Sequence, residues 1–178
     1  MNDLINIQKL AVFDLDGTLW SVNSHYELLN LYYKTKFWTS FSYKFIAKIV
    51  PFFAIWLRNR YFSAVTDEYI STVTFPFDEQ FVRLLEEKRK NGFFVLIVSN
   101  APREIIVEKA AERLNCEYLC AQENKKLETV RKTYDYKSLF VCTDNKTDCD
   151  LLSDADDYYI VANKRNKFFF IERGFHVE

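Results

Sequence analysis

A chain of 178 residues, 49% hydrophobic and 28% charged, has the composition of an ordinary globular protein, with room for one core domain and a modest insertion but not for two full domains. Its formal net charge of -1 excludes the broad electropositive surface of a nucleic-acid binder, so no nucleic acid is expected and small molecules are the expected partners. The N-terminal run Met-Asn-Asp-Leu-Ile-Asn-Ile-Gln-Lys lacks a basic region followed by an apolar stretch and is not read as a signal peptide. The four cysteines, Cys116, Cys120, Cys142 and Cys149, complete no zinc pattern and are expected as reduced thiols in the cytoplasm.

Along the chain, residues 10–14 (Leu-Ala-Val-Phe-Asp) form a short apolar run that ends in an acid and meets Gly17, the pattern of a buried strand emptying into a loop. The stretch 21–75 reads as all helical, with helices expected over 24–34, 39–57 and 60–73. It also carries much of the unusual aromatic content, 17% of the chain with 17 Phe and 11 Tyr, which sets it apart as a small inserted cap. Its segment 41–57 is apolar enough to raise the question of a membrane, yet it is shorter than the roughly 20 apolar residues of a span and contains Lys44, Lys48 and Pro51. A helix in the cap core, or one lying on a surface, is expected instead.

Beyond residue 76 strand and helix alternate. Strands are expected over 93–98, 117–121, 139–143 and 158–162, and helices over 78–91 (stopped by Gly92), 102–114 (opened by Pro102), 126–134 and 147–153. Such alternation implies βαβ crossovers and a mainly parallel sheet with helices on its faces, an α/β Rossmann-like core formed by 1–20 and 76–178 with the cap at 21–75. Ligands of such sheets sit at the carboxyl ends of the strands. Asp14 with Asp16, Ser99 with Asn100, Asp144 and Asn163 all stand at strand ends and are expected to converge.

These residue types fit phosphate-ester hydrolysis, which needs a nucleophile, a proton donor, a cation and groups that hold the phosphoryl oxygens. Asp14 is a carboxylate able to attack phosphorus, and Asp16 is placed by the turn to protonate the leaving oxygen and later to take a proton from water. Gly17 allows a sharp turn, and the Thr18 hydroxyl can tie the loop. Ser99 and the N–H groups that follow it, from Asn100 onward, suit a phosphoryl oxygen. Lys125 and Lys126 each offer an ammonium, and Asp144 and Asp148 offer hard oxygens that suit magnesium.

Asp14-Leu-Asp-Gly-Thr, Leu96-Ile-Val-Ser99, a lysine, and Asp144-Asn-Lys-Thr-Asp148 together resemble the four ordered motifs of the haloacid dehalogenase (HAD) superfamily. The helical insertion directly after the first motif is similar to the C1 cap of its phosphoserine phosphatase-like branch. The resemblance implies Mg2+ held by the Asp14 carboxylate, the Asp16 carbonyl and Asp144, with Asp148 supporting or ligating directly. It favours Lys126 over Lys125, because Lys126-Leu-Glu-Thr-Val130 fits the family's apolar residue one turn later. Thr143 stands where the family often has glycine. The presence of Asp16 favours phosphate hydrolysis over dehalogenation. A Mg2+-dependent phosphomonoester hydrolase acting on a small-molecule phosphate is therefore expected. A silent phosphate-binding module and a phosphatase of lipid or isoprenoid phosphates at a membrane surface are the alternatives.

Overall fold

The structure is a computed structural model that describes residues 4–164 and 166–177; the first three residues of the N-terminal run read above lie outside this range. The chain opens with strand β1 (Ile5–Phe13) and then gives four helices, α1 (Ser24–Tyr32), α2 (Phe41–Ile49), α3 (Pro51–Phe62) and α4 (Asp67–Thr72). Helix α5 (Glu79–Lys90) leads into β2 (Phe94–Ser99), α6 (Glu104–Leu114), β3 (Glu117–Cys120) and α7 (Lys126–Thr133). The chain continues through β4 (Tyr134–Thr143), α8 (Cys149–Asp154), β5 (Asp157–Ile160) and α9 (Lys167–Ile171).

The five strands form one sheet in the order β3-β2-β1-β4-β5, with every pairing parallel. The α/β Rossmann-like architecture expected from the alternation is the one observed. Strand β1 lies in the middle because its apolar run can be covered on both faces, as a central parallel strand requires. Ala11 and Phe13, with their register neighbours Val95, Ile97, Phe140 and Cys142, pack into one apolar cluster shared with α5, α6 and the inserted helices. Leu10 and Val12, with Leu96, Val98, Leu139 and Val141, pack into a second cluster, shared with α7, α8 and α9. This two-residue alternation is the pleat of the sheet read from its packing. The connection from β1 runs to β2 on one side and the chain later returns to β4 on the other, so a crevice opens beyond the carboxyl ends of β1 and β4.

Several boundaries differ from the sequence expectation. The helix expected over 39–57 is broken at Val50–Pro51 into α2 and α3, because proline at the first position of α3 keeps Val50 out of the helical region (φ -129°, ψ 66°). The helix expected over 60–73 is replaced by the end of α3 and the short α4, which Thr66 caps by accepting from the Tyr69 amide. Pro102 precedes α6 rather than opening it, since Arg103 is extended (φ -143°, ψ 139°) and its guanidinium reaches Asp67 at 2.7 Å and the ring of Phe62. Strand β4 begins five residues earlier than 139, pairing along the length of the nine-residue β1 from Ile5 onward. Helix α9 was not expected.

The inserted helices are fastened to α6 through main-chain carbonyls. Lys109 Nζ donates to the Ile70 and Val73 carbonyls at 3.1 and 2.8 Å, closing the carboxyl end of α4, and Arg113 donates to the Phe75 carbonyl at 2.9 Å. Within the insertion His25 lies edge-on to Phe62 with ring centroids 4.2 Å apart, and its Nε2 is buried without a hydrogen-bond partner among the described residues. Burial, with the Arg58 charge adding to it, lowers the His25 pKa to about 3. In the unfolded chain this imidazole titrates near ~6.5. Its contribution to stability is therefore complete above the unfolded value and is lost as pH falls from there toward 3, because only the unfolded state takes up the proton. His25→Leu is expected to make the unfolding free energy less pH-dependent between those values, by a slope of about one proton. Urea titrations at a series of pH values check this; an unchanged slope would show that His25 is not held neutral by the fold.

Candidate active site

The residues at the strand ends converge. Asp14 leaves β1 with its amide donating to the Cys142 carbonyl at 2.9 Å, so the end of β4 fixes its backbone. The next residues fold into a tight loop in which the Gly17 amide donates to the Val22 carbonyl and the Trp20 amide to the Leu15 carbonyl. Gly17 has φ +79°, and a Cβ there would fall 2.4 to 2.7 Å from the carboxylate of Asp144, so only glycine lets the loop lie against β4. Thr18 ties the loop as its hydroxyl accepts from the Asp144 amide at 3.0 Å.

Lys126 is buried at the first turn of α7, and its Nζ donates to Asp14 Oδ1 at 2.6 Å and to Asp148 Oδ2 at 2.8 Å. Lys125 is exposed. The apolar neighbour Val130, one turn later, packs in the second cluster and seats α7 so that the lysine points inward. Asp148 Oδ2 also accepts from the Thr143 hydroxyl at 2.7 Å, which gives the threonine before Asp144 a role that glycine would lack. Asp148 is thus held between Lys126 and Thr143 rather than in the open crevice.

Asp16 turns the other way. Its two carboxylate oxygens accept from the Ser24 amide and the Ser24 hydroxyl, both at 2.9 Å, which binds it to the start of α1. Ser24 was not legible in the sequence, because a serine at the head of a helix reads as an ordinary cap; here Asn23 is the cap and Ser24 faces the acid. Ser99 is buried at the end of β2 and its Oγ accepts from the Ala101 amide. Asn100 keeps a buried Oδ1 with no partner among the described residues. Asn166, also not anticipated, is buried and its Nδ2 donates to the carbonyls of Asp144 and Val161, tying the chain after β5 to the end of β4.

Together these groups border a cavity of about 520 Å³ lined by Asp14, Asp16, Ser99, Asn100, Asp144 and Asn163 among others. Burial raises the Asp14 carboxyl well above the usual carboxylate range, with Lys126 opposing and Asp148 and Asp144 adding to the rise. Burial likewise pushes Asp16 up to about 6 against the Ser24 donors, and Asp144 up to about 6 against Lys126 with Asp148 and Asp16 reinforcing it. Lys126 is raised despite its burial, because Asp14 and Asp148 hold its proton. Three acids thus surround a cavity whose nearest buried cation already serves two of the acids in this cluster, an arrangement that favours an additional positive charge. Among the described residues no three acidic, histidine or cysteine side chains form a ready-made metal cage.

A parallel α/β sheet with an acid-lined crevice at the carboxyl ends of its strands and a helical insertion after the first defines a class of hydrolytic folds. Within it, the family model of the haloacid dehalogenase-like hydrolases matches residues 11–152, and the chain belongs to that enzyme family. Solved structures give the same fold. A phosphoserine phosphatase in apo form is similar with TM-score 0.61 and 15% identity, over 91% of this chain and 98% of that one. A phospho-aspartyl intermediate analogue of phosphoserine phosphatase is similar with TM-score 0.58 and 16% identity, over 92% and 98%. A protein of unknown function from Bordetella pertussis Tohama I is similar with TM-score 0.59 and 14% identity, over 96% and 98%. No curated protein matches the chain.

Proposed function

We propose that the protein is a Mg2+-dependent phosphomonoester hydrolase that acts on a small-molecule phosphate through an aspartyl-phosphate on Asp14. The observation that carries this reading is the buried Lys126 ammonium 2.6 Å from Asp14, beside a second acid two residues on that is raised to about 6. A carboxylate held against a fixed cation is oriented for attack, and an acid with that pKa can both give and take a proton near neutrality.

In this reading the Asp14 carboxylate, the Asp16 carbonyl and Asp144 hold the Mg2+, with Asp148 acting through Lys126. When bound, the ion neutralises charge on the phosphoryl oxygens. An Asp14 oxygen forms a bond to phosphorus while the ester oxygen departs with a proton from Asp16. Asp16 then takes a proton from water as that water attacks phosphorus, which releases phosphate and restores the Asp14 carboxylate. Ser99 Oγ and the Asn100 amide hold phosphoryl oxygens, and Lys126 balances the charge on Asp14 throughout. The inserted helices cover the site as a cap over 21–75 and select the substrate. This reading places the protein in the cytoplasm, where its four cysteines would stay reduced.

The test is Mg2+-dependent phosphate release from an aryl phosphate and a panel of metabolite phosphates, with wild type compared to Asp14→Asn. Turnover by wild type that is absent from the variant is expected. Equal activity in the two would overturn the reading, and Mg2+ binding without turnover across the panel would overturn it in favour of a silent module. A second check is Gly17→Ala, in which the new methyl must displace the Asp144 carboxylate. Activity is expected to fall roughly 10²-fold, as for an ångström-scale misplacement of a catalytic group, with a stability loss of only about 1–2 kcal/mol from the positive φ.

A further inference from the structure

The inserted helices bury only part of their apolar surface. Leu28, Leu29, Trp38, Tyr43, Ala54 and Phe62 form their core, and the Tyr43 hydroxyl, donating to the Ala54 carbonyl at 3.1 Å, locks α2 against α3. The opposite sides of the same hairpin stay in solvent. Phe41 is 83% exposed, Phe52 86% and Trp56 59%, and Phe45, Ile49 and Phe53 are exposed beside them. Phe41 stacks on Phe45 and Phe53 on Trp56, and each of these rings keeps about half or more of its surface in solvent. Scattered exposed apolar residues need no explanation, but large ones crowded on one hairpin mark an interaction surface.

Charge identifies the partner. Residues 28–66 contain six basic residues, Lys34, Lys36, Lys44, Lys48, Arg58 and Arg60, and no Asp or Glu, in a chain whose net charge is -1. Lys44 and Lys48 stand exposed on α2 among the apolar rings. A second copy meeting this face symmetrically would bring lysine to lysine with no carboxylate between them. An anionic lipid surface offers apolar depth for the rings and negative headgroups for the lysines, and tryptophan suits the boundary between the two. Neither helix can cross the bilayer: α3 has 12 residues, and no described helix is long and apolar enough to span.

We propose that α2 and α3 form a docking face that lies in the headgroup region of an anionic bilayer and holds the protein there peripherally. This proposal stands apart from the hydrolase reading, because its test needs no turnover. The intact protein is co-sedimented with vesicles of phosphatidylcholine alone and of equal parts phosphatidylcholine and phosphatidylserine. Binding to the anionic vesicles is expected, weakened by added salt, with little binding to the neutral ones. Lys44→Ser/Lys48→Ser is expected to bind at least roughly tenfold more weakly, and Phe52→Ser/Trp56→Ser to lose binding. Of the three tryptophans, Trp20 and Trp38 are buried, so a blue shift of wild-type emission on vesicle addition, absent in Trp56→Phe, reads the face directly without a destabilising variant. Failure of the wild type to bind anionic vesicles would overturn the proposal. So would equal binding by Phe52→Ser/Trp56→Ser, or a self-association that this variant abolishes while vesicles have no effect, which would make the face a protein contact.

Discussion

Asp14→Asn is expected to lower phosphate release by at least roughly 10³-fold while leaving the fold as stable as wild type or more so. The two effects have one cause. Burial raises the Asp14 carboxyl above the usual range, so the folded state holds this proton more tightly than the unfolded chain does. Its contribution to stability is therefore fully present at a pH below the unfolded value and is lost as pH rises through the folded one. Asparagine keeps the shape without the charge, and Lys126 keeps Asp148 as its partner. Melting in metal-free buffer at acid and at mildly alkaline pH checks this: the variant's melting temperature is expected to match wild type at the acid end and to exceed it by a few degrees at the alkaline end. A variant that is both inactive and much less stable at alkaline pH would show that Asp14 holds the fold together rather than straining it.

Lys126→Met is expected to give the opposite pattern, a large loss of both stability and activity. Methionine fits the space of the lysine stem but leaves two buried carboxylates, Asp14 and Asp148, facing each other's field without the ammonium 2.6 and 2.8 Å away. Removing one partner of a buried ion pair costs about 3–5 kcal/mol. For a domain of this size that corresponds to a fall in melting temperature of roughly 10 °C. The loss should grow with pH, because protonation of Asp14 relieves it, and Lys126→Met/Asp148→Asn should recover part of it. Denaturant titrations of the two variants at acid and alkaline pH measure these terms. A cost below about 1 kcal/mol for Lys126→Met would show that the ammonium is not what keeps the acids buried.

Much of the site was legible because its residues stand where apolar runs end. Asp14 and Asp144 follow β1 and β4 directly and Ser99 is the last residue of β2, and in a parallel sheet those ends lie side by side. The lysine was harder: two adjacent lysines open α7, and only the burial of Val130 beneath the helix turns Lys126 inward and leaves Lys125 outside. Ser24, Thr143 and Asn166 carry no sequence signal, because small polar residues near helix heads and strand ends are common. What distinguishes them is a hydrogen bond made across the fold, to Asp16, to Asp148 and to the Asp144 carbonyl respectively.

The inserted helices mark the limit of reading a pattern. Their aromatic content predicts an apolar core, and half of it forms one, but Phe41, Phe45, Phe52 and Trp56 remain outside. Hydrophobicity states that a side chain favours leaving water, not which surface will receive it. By itself, then, the sequence determined the alternation of strand and helix, the parallel sheet and the acids at its carboxyl edge, since these follow from local periodicity and from strand ends. Only the tertiary structure decided which lysine meets Asp14, that Gly17 must lie against Asp144, and which rings of α2 and α3 stay uncovered. Each of those depends on the packing of segments far apart in the chain, which no local pattern encodes.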